Sequence, residues 1–474
     1  MISLSLEEIA LATGGELRNV DTSNNNFPDH ITTVCTDTRH IAEGCLFIAL
    51  KGENFDAHQF LLEAQKLGAT AFIVEQEGNI ELPYVVVNNT RTALGQLGAY
   101  VKAKIKNLKC AAITGSNGKT TTKEMLSAIL SVHCPVDGAV LSTAGNFNND
   151  IGLPLTLLRL TEQTRFAVVE LGANHQGEIA YTSALAKPDV ALINNVMPAH
   201  LEGFGSIEGV AQAKGEIWSS LEASATGVVN LDAKFSQTYI NQLKKQQTSI
   251  LTFSQTDNSA SVFATELEFD PLGRARFTLN YEQQQISICL NIAGQHNVSN
   301  ALAAASMAIA LGCDLNVISK GLASLELVAG RVNSLSINDN LMLIDDSYNA
   351  NSASLKAAID LLAQNSGETV LIFSDMGELG QYNEQEHRIV GQYAAEQQIT
   401  VLLTVGQSTA FTHETFKSLS SHTCLHFDDK KVLKAHLHTY LQNKRNEKLT
   451  ILVKGSRSTK MEEIVAYIKQ QKIG

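Results

Sequence analysis

The segment Ile113–Glu124, ITGSNGKTTTKE, sets two glycines and a lysine between an apolar run and a stretch suited to a helix. Gly115 and Gly118 permit a tight turn whose backbone N–H groups face an anion. Lys119 is placed to neutralise phosphate oxygens, and Thr120 to offer a hydroxyl to magnesium. Ser116, Asn117 and Thr121 complete the loop and the first helical turn. The spacing departs from the common GxxxxGK[ST], because Ile113 stands five residues before Gly118 and the preceding glycine only three before it. The loop predicts binding of ATP or GTP. It does not by itself distinguish hydrolysis, transfer and switching.

A magnesium site on such a loop needs side chains from other strand ends. Glu170 follows the run FAVV, with Gly172 leaving space beside it, and His200 follows ALINNV in a loop that could approach the same end. Lys214 and Glu216 come next, in AQAKGEIW. On residue type alone, Glu170 reads equally well as a solvated strand end. His200 reads as an ordinary surface or core histidine, and Lys214 as part of a solvated helix face.

The elements that must position these residues alternate in type. Strands at 111–114, 166–171 and 189–196 are separated by longer helical stretches, as in a mainly parallel, helix-covered sheet. Between about 248 and 293 the texture changes to SVFATELEF, RARFTLNY and QISICLNIAG, whose alternation predicts an antiparallel layer. ALAAASMAIALG (301–312) is too short to span a bilayer and reads as a core helix. Before the central region, CLFIAL, TAFIVE and YVVV suggest a small α/β domain, with a helix after YVVV leading out of it. After it, LMLIDDSYN, TVLIFSDMG, TVLLTVG and LTILVKG repeat the α/β rhythm. The expected domains are 1–108, 109–328 and 329–474, which agrees with roughly 150 residues per domain for a chain of 474.

Composition narrows the class further. The net charge of −12, from 48 acidic against 36 basic residues, gives nucleic acid and anionic membranes no general attraction. The start, MISLSLEEIALATGGEL, lacks a basic leader and carries an acidic pair where a secretory peptide needs apolar residues. Seven cysteines without a CxxC pair argue against a disulfide framework and a zinc cluster, and for reduced thiols in the cytoplasm. No repeat array and no self-pairing segment is evident, so a monomer is expected.

Several separated signatures, in order, resemble the bacterial Mur ligases over essentially the whole chain. They are TGSNGKTTTKE (114–124), GNFNNDIGLP (145–154), VVELGANHQGEI (168–179), NNVMPAHLEGFGSIEGVAQAKGEI (194–217), GQHNVSNALAA (294–304), DDSYNANSAS (345–354), SDMGELG (374–380) and VKGSRS (453–458). The resemblance is strongest to the members that add D-alanyl-D-alanine to a UDP-N-acetylmuramoyl tripeptide. It implies a three-domain α/β architecture: an N-terminal UDP-substrate domain, a central P-loop ATPase-like domain with a mainly parallel sheet, and a C-terminal Rossmann-like ligase domain. It also implies a reaction. ATP converts the terminal carboxylate of the tripeptide to an acyl phosphate, which the dipeptide amine attacks to give a UDP-linked pentapeptide, ADP and phosphate for peptidoglycan precursor synthesis.

Carried over residue by residue, the resemblance makes Lys119, Glu170, His200 and Lys214 the catalytic set. Thr120, Glu170, His200 and a carbamylated Lys214 become the magnesium ligands. It assigns ATP to residues 115–121, to His296, Asn297 and Asn300 around the adenine, and to Arg331 and Asp346 from the third domain. Tyr348 and Asn349 belong to the same nucleotide-facing motif and are substrate candidates with Lys454. Thr38, Arg39, Asp56 and His58 fall in the uridine-diphosphate region, and Asn146, Asn148 and Asn149 near the muramoyl substrate. Ser352 stands where the family often has proline, which removes turn rigidity. The competing readings are a sister ligase adding the third amino acid, a folyl-polyglutamate ligase, and a nucleotide-controlled binding protein. Lys119→Ala is expected to lose ATP-dependent ligation, and near-normal turnover in a coupled ADP-release assay would overturn its assignment to the phosphates.

Overall fold

The computed structural model describes residues 1–20, 30–52, 55–78, 80–198, 201–326 and 329–471. Among these residues the named strands form three sheets. The first has five strands in the order Glu16–Arg18, Tyr84–Val86, Ala71–Val74, Leu46–Ile48 and Val34–Cys35, parallel except at the Glu16–Arg18 edge.

The central sheet has nine strands. Val140–Ser142, Phe166–Glu170, Lys109–Thr114, Val190–Ile193, Thr226–Asn230, Ser249–Ser254 and Val262–Phe269 lie side by side and parallel. Arg274–Tyr281 and Gln284–Ala293 then continue it antiparallel. The antiparallel layer therefore begins at Val262, later than the change of texture near 248 suggests. Ser249–Ser254 follows the helix Ser236–Lys245, a crossover that returns the chain parallel, and its burial deepens along the strand rather than alternating. Lys109–Thr114 is buried from Cys110 onward, and its neighbours Phe166–Glu170 and Val190–Ile193 are buried throughout. Burial of both faces is why these strands read as unbroken apolar runs.

The third sheet runs Asn333–Ser336, Leu341–Asp346, Leu449–Lys454, Glu368–Ser374, Val401–Val405 and Thr423–Phe427. Only its first pair is antiparallel. The sheets thus have the mixed α/β character of the expected three-part architecture. The alanine-rich helix His296–Ala310 is a core helix, buried from Asn300 to Ala308. No helix among the described residues is long and apolar enough to cross a membrane. All seven cysteines are free, with Cys289 exposed.

The helix Thr90–Lys104 does more than lead the chain onward. Asn89 caps its start by accepting a hydrogen bond from the Thr92 N–H. Its Leu94, Leu97 and Val101 are completely buried in one apolar core, which runs from Leu4 and Ile48 in the first part of the chain to Leu153 and Val169 in the central part.

Behind the phosphate-loop helix Lys119–His133 lies a second helix, Leu315–Ala323. They meet at Gly321, where a Cβ would sit 2.4 Å from the Ile129 Cα. Gly321→Ala gains about 1 kcal/mol of helix propensity. Forcing two helix backbones apart loses more, about 1–3 kcal/mol. A lower urea midpoint is therefore expected for Gly321→Ala, and an unchanged or raised midpoint would show that the helices yield without strain.

Candidate active site

Strand Lys109–Thr114 lies between Phe166–Glu170 and Val190–Ile193, where the chain order of the sheet reverses. The loop after it therefore emerges in the crevice at the carboxyl ends of the strands. Its two glycines are needed for close approach. A Cβ on Gly115 (φ +152°) would lie 3.0 Å from the Asn194 Cβ, and one on Gly118 (φ +77°) would lie 2.4 Å from the Asn300 Oδ1.

Asparagine side chains hold the loop from behind. The Asn117 N–H donates to Asn195 Oδ1 at 2.9 Å, and the Asn117 carbonyl accepts from Asn194 Nδ2 at 2.9 Å and Asn195 Nδ2 at 3.0 Å. Asn194 Nδ2 also donates to Asn300 Oδ1 at 2.9 Å, and Asn300 Nδ2 donates to Asn297 Oδ1 at 2.9 Å. Asn297 and Asn300 line the cavity, but these amide groups brace the loop. Asn194 and Asn195 were not among the residues singled out from the sequence. The available signal was a pair of amides directly after a buried strand, inside a longer signature.

Lys119 opens the helix and donates to the Gly115 carbonyl at 2.7 Å. Burial lowers its pKa, opposed by the charge of Glu170 and reinforced by Arg331. Glu170 is buried, accepting from the Thr120 hydroxyl at 2.8 Å and from Asn148 Nδ2 at 2.9 Å. Thr120 and Glu170 thus present adjoining hard oxygens beside the phosphate loop, the donor chemistry that suits magnesium.

His200 lies outside the described residues. Lys214 is 1% exposed and is not part of the cavity wall. Its ammonium is 5.9 Å from the centre of the Phe204 ring. Burial, with a further push from Lys119, lowers its pKa to about 7. The shift favours the neutral amine over the ammonium. His296 is held at about 4 by burial and by Lys454, so it works as a neutral imidazole.

A cavity of about 760 Å³ joins the loop to the third domain. Its walls include Ser116–Thr121, Asn146, Asn148, Glu170, His296, Arg331, Asp346, Tyr348, Asn349, Glu378, Lys454 and Arg457. Glu378 and Arg457, absent from the site residues expected from sequence, sit in the SDMGELG and VKGSRS signatures. Asp346 and Lys454 form a buried ion pair, and Lys454 also donates to the Asn349 carbonyl at 3.0 Å. Desolvation raises the Asp346 pKa, while Lys454 pulls it the other way. The Tyr348 ring lies under the guanidinium of Arg331 at 4.3 Å and near that of Arg457 at 5.5 Å.

Other expected contacts lie elsewhere. Asn149 is outside the cavity wall and lies in the turn before the helix Gly152–Leu157, its Oδ1 accepting from the Gly152 N–H at 2.8 Å. Asp56 and His58 line a second cavity, of about 500 Å³, in the first domain. Both ring nitrogens of His58 are engaged, Nδ1 with Asp56 at 2.6 Å and Nε2 by accepting from the Glu75 N–H at 2.9 Å. Thr38 and Arg39 line neither cavity; Arg39 pairs with Asp37 at the surface.

Ser352 occupies the first position of the helix Ser352–Ala363, where proline is also well suited because the N–H there lacks a helical acceptor. Its hydroxyl bonds the buried Glu386, so a side-chain bond ties down this turn where a ring would have stiffened it.

Three family models match the chain: the Mur ligase family catalytic domain over residues 30–116, the Mur ligase middle domain over 113–308, and the Mur ligase glutamate ligase domain over 330–457. The chain is 43% identical over 472 residues to the UDP-N-acetylmuramoyl-tripeptide--D-alanyl-D-alanine ligase of Escherichia coli (strain K12), covering 99% of each. A crystal structure of MurF from Acinetobacter baumannii matches with a TM-score of 0.90 and 38% identity over 99% of both chains. The MurF ligase of Thermotoga maritima in complex with ADP matches at 0.80 and 25% identity, over 93% of this chain and 97% of that one.

Removing one member of the buried Asp346–Lys454 pair leaves the other charged and unpaired, at a cost of about 3–5 kcal/mol. Lys454→Met should therefore lower stability to urea by that order, and adding Asp346→Asn should recover much of the loss. If the double variant is no more stable than Lys454→Met, the unpaired charge is not the cause.

Proposed function

The chain belongs to the Mur ligase family, and from that premise we propose that it joins D-alanyl-D-alanine to a UDP-N-acetylmuramoyl tripeptide at the expense of ATP, in the cavity between its phosphate loop and its third domain. The observation that carries this reading is the composition of that cavity. One wall is a phosphate loop with Lys119, Thr120 and Glu170, and the facing wall is the third-domain set Asp346, Tyr348, Asn349 and Lys454.

Amide formation from a carboxylate requires an activated acyl group and its protection from water. The terminal γ-phosphoryl group of ATP passes to the tripeptide carboxylate, giving an acyl phosphate and ADP. The dipeptide amine adds to the acyl carbon, and the tetrahedral adduct expels phosphate. The loop N–H groups and Lys119 stabilise the charge on the transferring phosphoryl oxygens, and Arg331 adds a second cation. Bound magnesium supplies further neutralisation of the phosphates. Thr120 and Glu170 would hold it, with His200 and a carbamylated Lys214 as further ligands, and the near-neutral pKa of Lys214 supports that chemistry. Walls drawn from two domains favour exclusion of water from the acyl phosphate.

His296, Asn297 and Asn300 border the adenine end. Asn146 and Asn148 approach the muramoyl peptide, and Tyr348, Asn349 and Lys454 shape the side from which the dipeptide enters. In the first domain, Thr38, Arg39, Asp56 and His58 belong to the uridine-diphosphate region, where His58 acts by its ring face because its nitrogens are engaged. Use of ATP and a nucleotide-linked precursor fits the cytoplasm.

The test is mass spectrometry of a reaction containing magnesium-ATP, UDP-N-acetylmuramoyl tripeptide and D-alanyl-D-alanine. A UDP-linked pentapeptide formed one for one with ADP, and none without dipeptide, is expected. ADP release without a new amide would reject the reading.

A further inference from the structure

Asn117 and Asn351 are far apart in sequence, and their side-chain amides pair head to head across the cavity rim. Asn351 Nδ2 donates to Asn117 Oδ1 at 2.7 Å, and Asn117 Nδ2 donates to Asn351 Oδ1 at 3.3 Å. The pair is partly shielded from water, and both residues line the cavity.

Each partner is fixed within its own domain. The main chain of Asn117 is held on both sides by Asn194 and Asn195. Asn351 is the N-cap of the helix Ser352–Ala363. Its Oδ1 accepts from the Ser354 N–H at 2.9 Å, and its own N–H donates to Ser354 Oγ at 3.1 Å. The next residue, Ser352, is bonded to Glu386 in the body of the third domain. Neither amide needs to search for its partner, so the placement of the two domains decides whether the pair forms.

We propose that Asn351 is a positioning residue that couples the third domain to the phosphate loop: its amide pair with Asn117 forms when that domain docks, and docking and nucleotide binding thereby stabilise each other. Asn117 is two residues before Lys119 in a loop too tightly packed to shift without moving the lysine. A pull on its side chain is felt where the phosphates bind. Because coupling between two equilibria is reciprocal, losing the pair must weaken nucleotide affinity and nucleotide-driven docking by the same factor. For one well-formed neutral hydrogen bond and a second stretched to 3.3 Å, that factor is about five- to tenfold. The assignment of nucleotide to the loop rests on the proposed function, whereas the amide pair itself does not.

The experiment uses the full chain and the non-hydrolysable analogue adenylyl imidodiphosphate. Asn351→Ser keeps a capping oxygen for the helix but is too short to reach Asn117. Asn117→Ala removes the other half. Calorimetry should show each variant binding the analogue about five- to tenfold more weakly, with the melting temperature of Asn351→Ser close to that of the parent. The double variant should be no weaker than the weaker single variant, because both remove one interaction. Small-angle scattering should show compaction on analogue binding in the parent and less of it in each variant. In the ligation assay Asn351→Ser should lower kcat while leaving the KM for tripeptide unchanged.

Wild-type affinity and compaction in Asn351→Ser, or losses that multiply in the double variant, would overturn the proposal. Binding and scattering are measured without tripeptide or dipeptide. A parent that binds nucleotide and compacts but makes no pentapeptide would therefore defeat the functional reading and leave this test intact.

Discussion

A loop that turns its backbone N–H groups toward an anion must find other partners for its carbonyls, because a buried carbonyl without a hydrogen bond is costly. Here the Gly115 carbonyl takes the Lys119 ammonium, and the Asn117 carbonyl takes side-chain amides. Asn194 and Asn195 hold the Asn117 carbonyl, Asn300 accepts from Asn194, and Asn297 holds Asn300 in turn. Asn194 Nδ2 serves two acceptors, which fixes the sense of its amide. The glycines are dictated by the same packing, since the space a Cβ would take is already filled by the Asn194 Cβ at Gly115 and by the Asn300 and Asn194 amides at Gly118. The position of Lys119, the orientation of Thr120 and its contact with Glu170 all follow from a loop that has been given no freedom.

Two electrostatic devices surround that loop, and they work in opposite ways. Asp346 and Lys454 are both charged and buried, so each is useful only while the other is present. Lys214 is also buried, but its desolvation and its nearness to Lys119 favour loss of the proton rather than pairing. One buried lysine is thus matched to a carboxylate, and the other is pushed toward its neutral amine by burial and by Lys119.

Much of this was legible in the sequence, for reasons that can be named. Strands buried on both faces leave long apolar runs, and a glycine-rich turn between such a run and a helix has few uses, so Lys109–Thr114 and the loop after it were readable directly. Glu170 was readable as a position but not as a partner, because the Thr120 hydroxyl reaches it only through parallel pairing of the two strands. The direction of Ser249–Ser254 was hidden, since a strand's own residues do not report which way its neighbour runs; the helix Ser236–Lys245 before it sets the parallel pairing. Asn194 and Asn195 were hidden for a different reason. An asparagine after a strand usually marks a turn, and only the folded loop shows what the amides hold. Asp56 and His58 entered only as residues of the uridine-diphosphate region, and their mutual hydrogen bond was not legible because it depends on the fold of that turn.

The helix Thr90–Lys104 carries a consequence for how the molecule is divided. Leu94, Leu97 and Val101 each contribute about 1.5–3 kcal/mol by burial, in a core shared by the first two sheets. Cutting the chain after this helix would leave that apolar face wet, and cutting before it would unroof the first sheet. The first two sheets are therefore one mechanical body despite belonging to different sequence families of domain. Whatever the first domain grips is held at a set reach from Lys119, fixed by side-chain packing rather than by the slack of a linker.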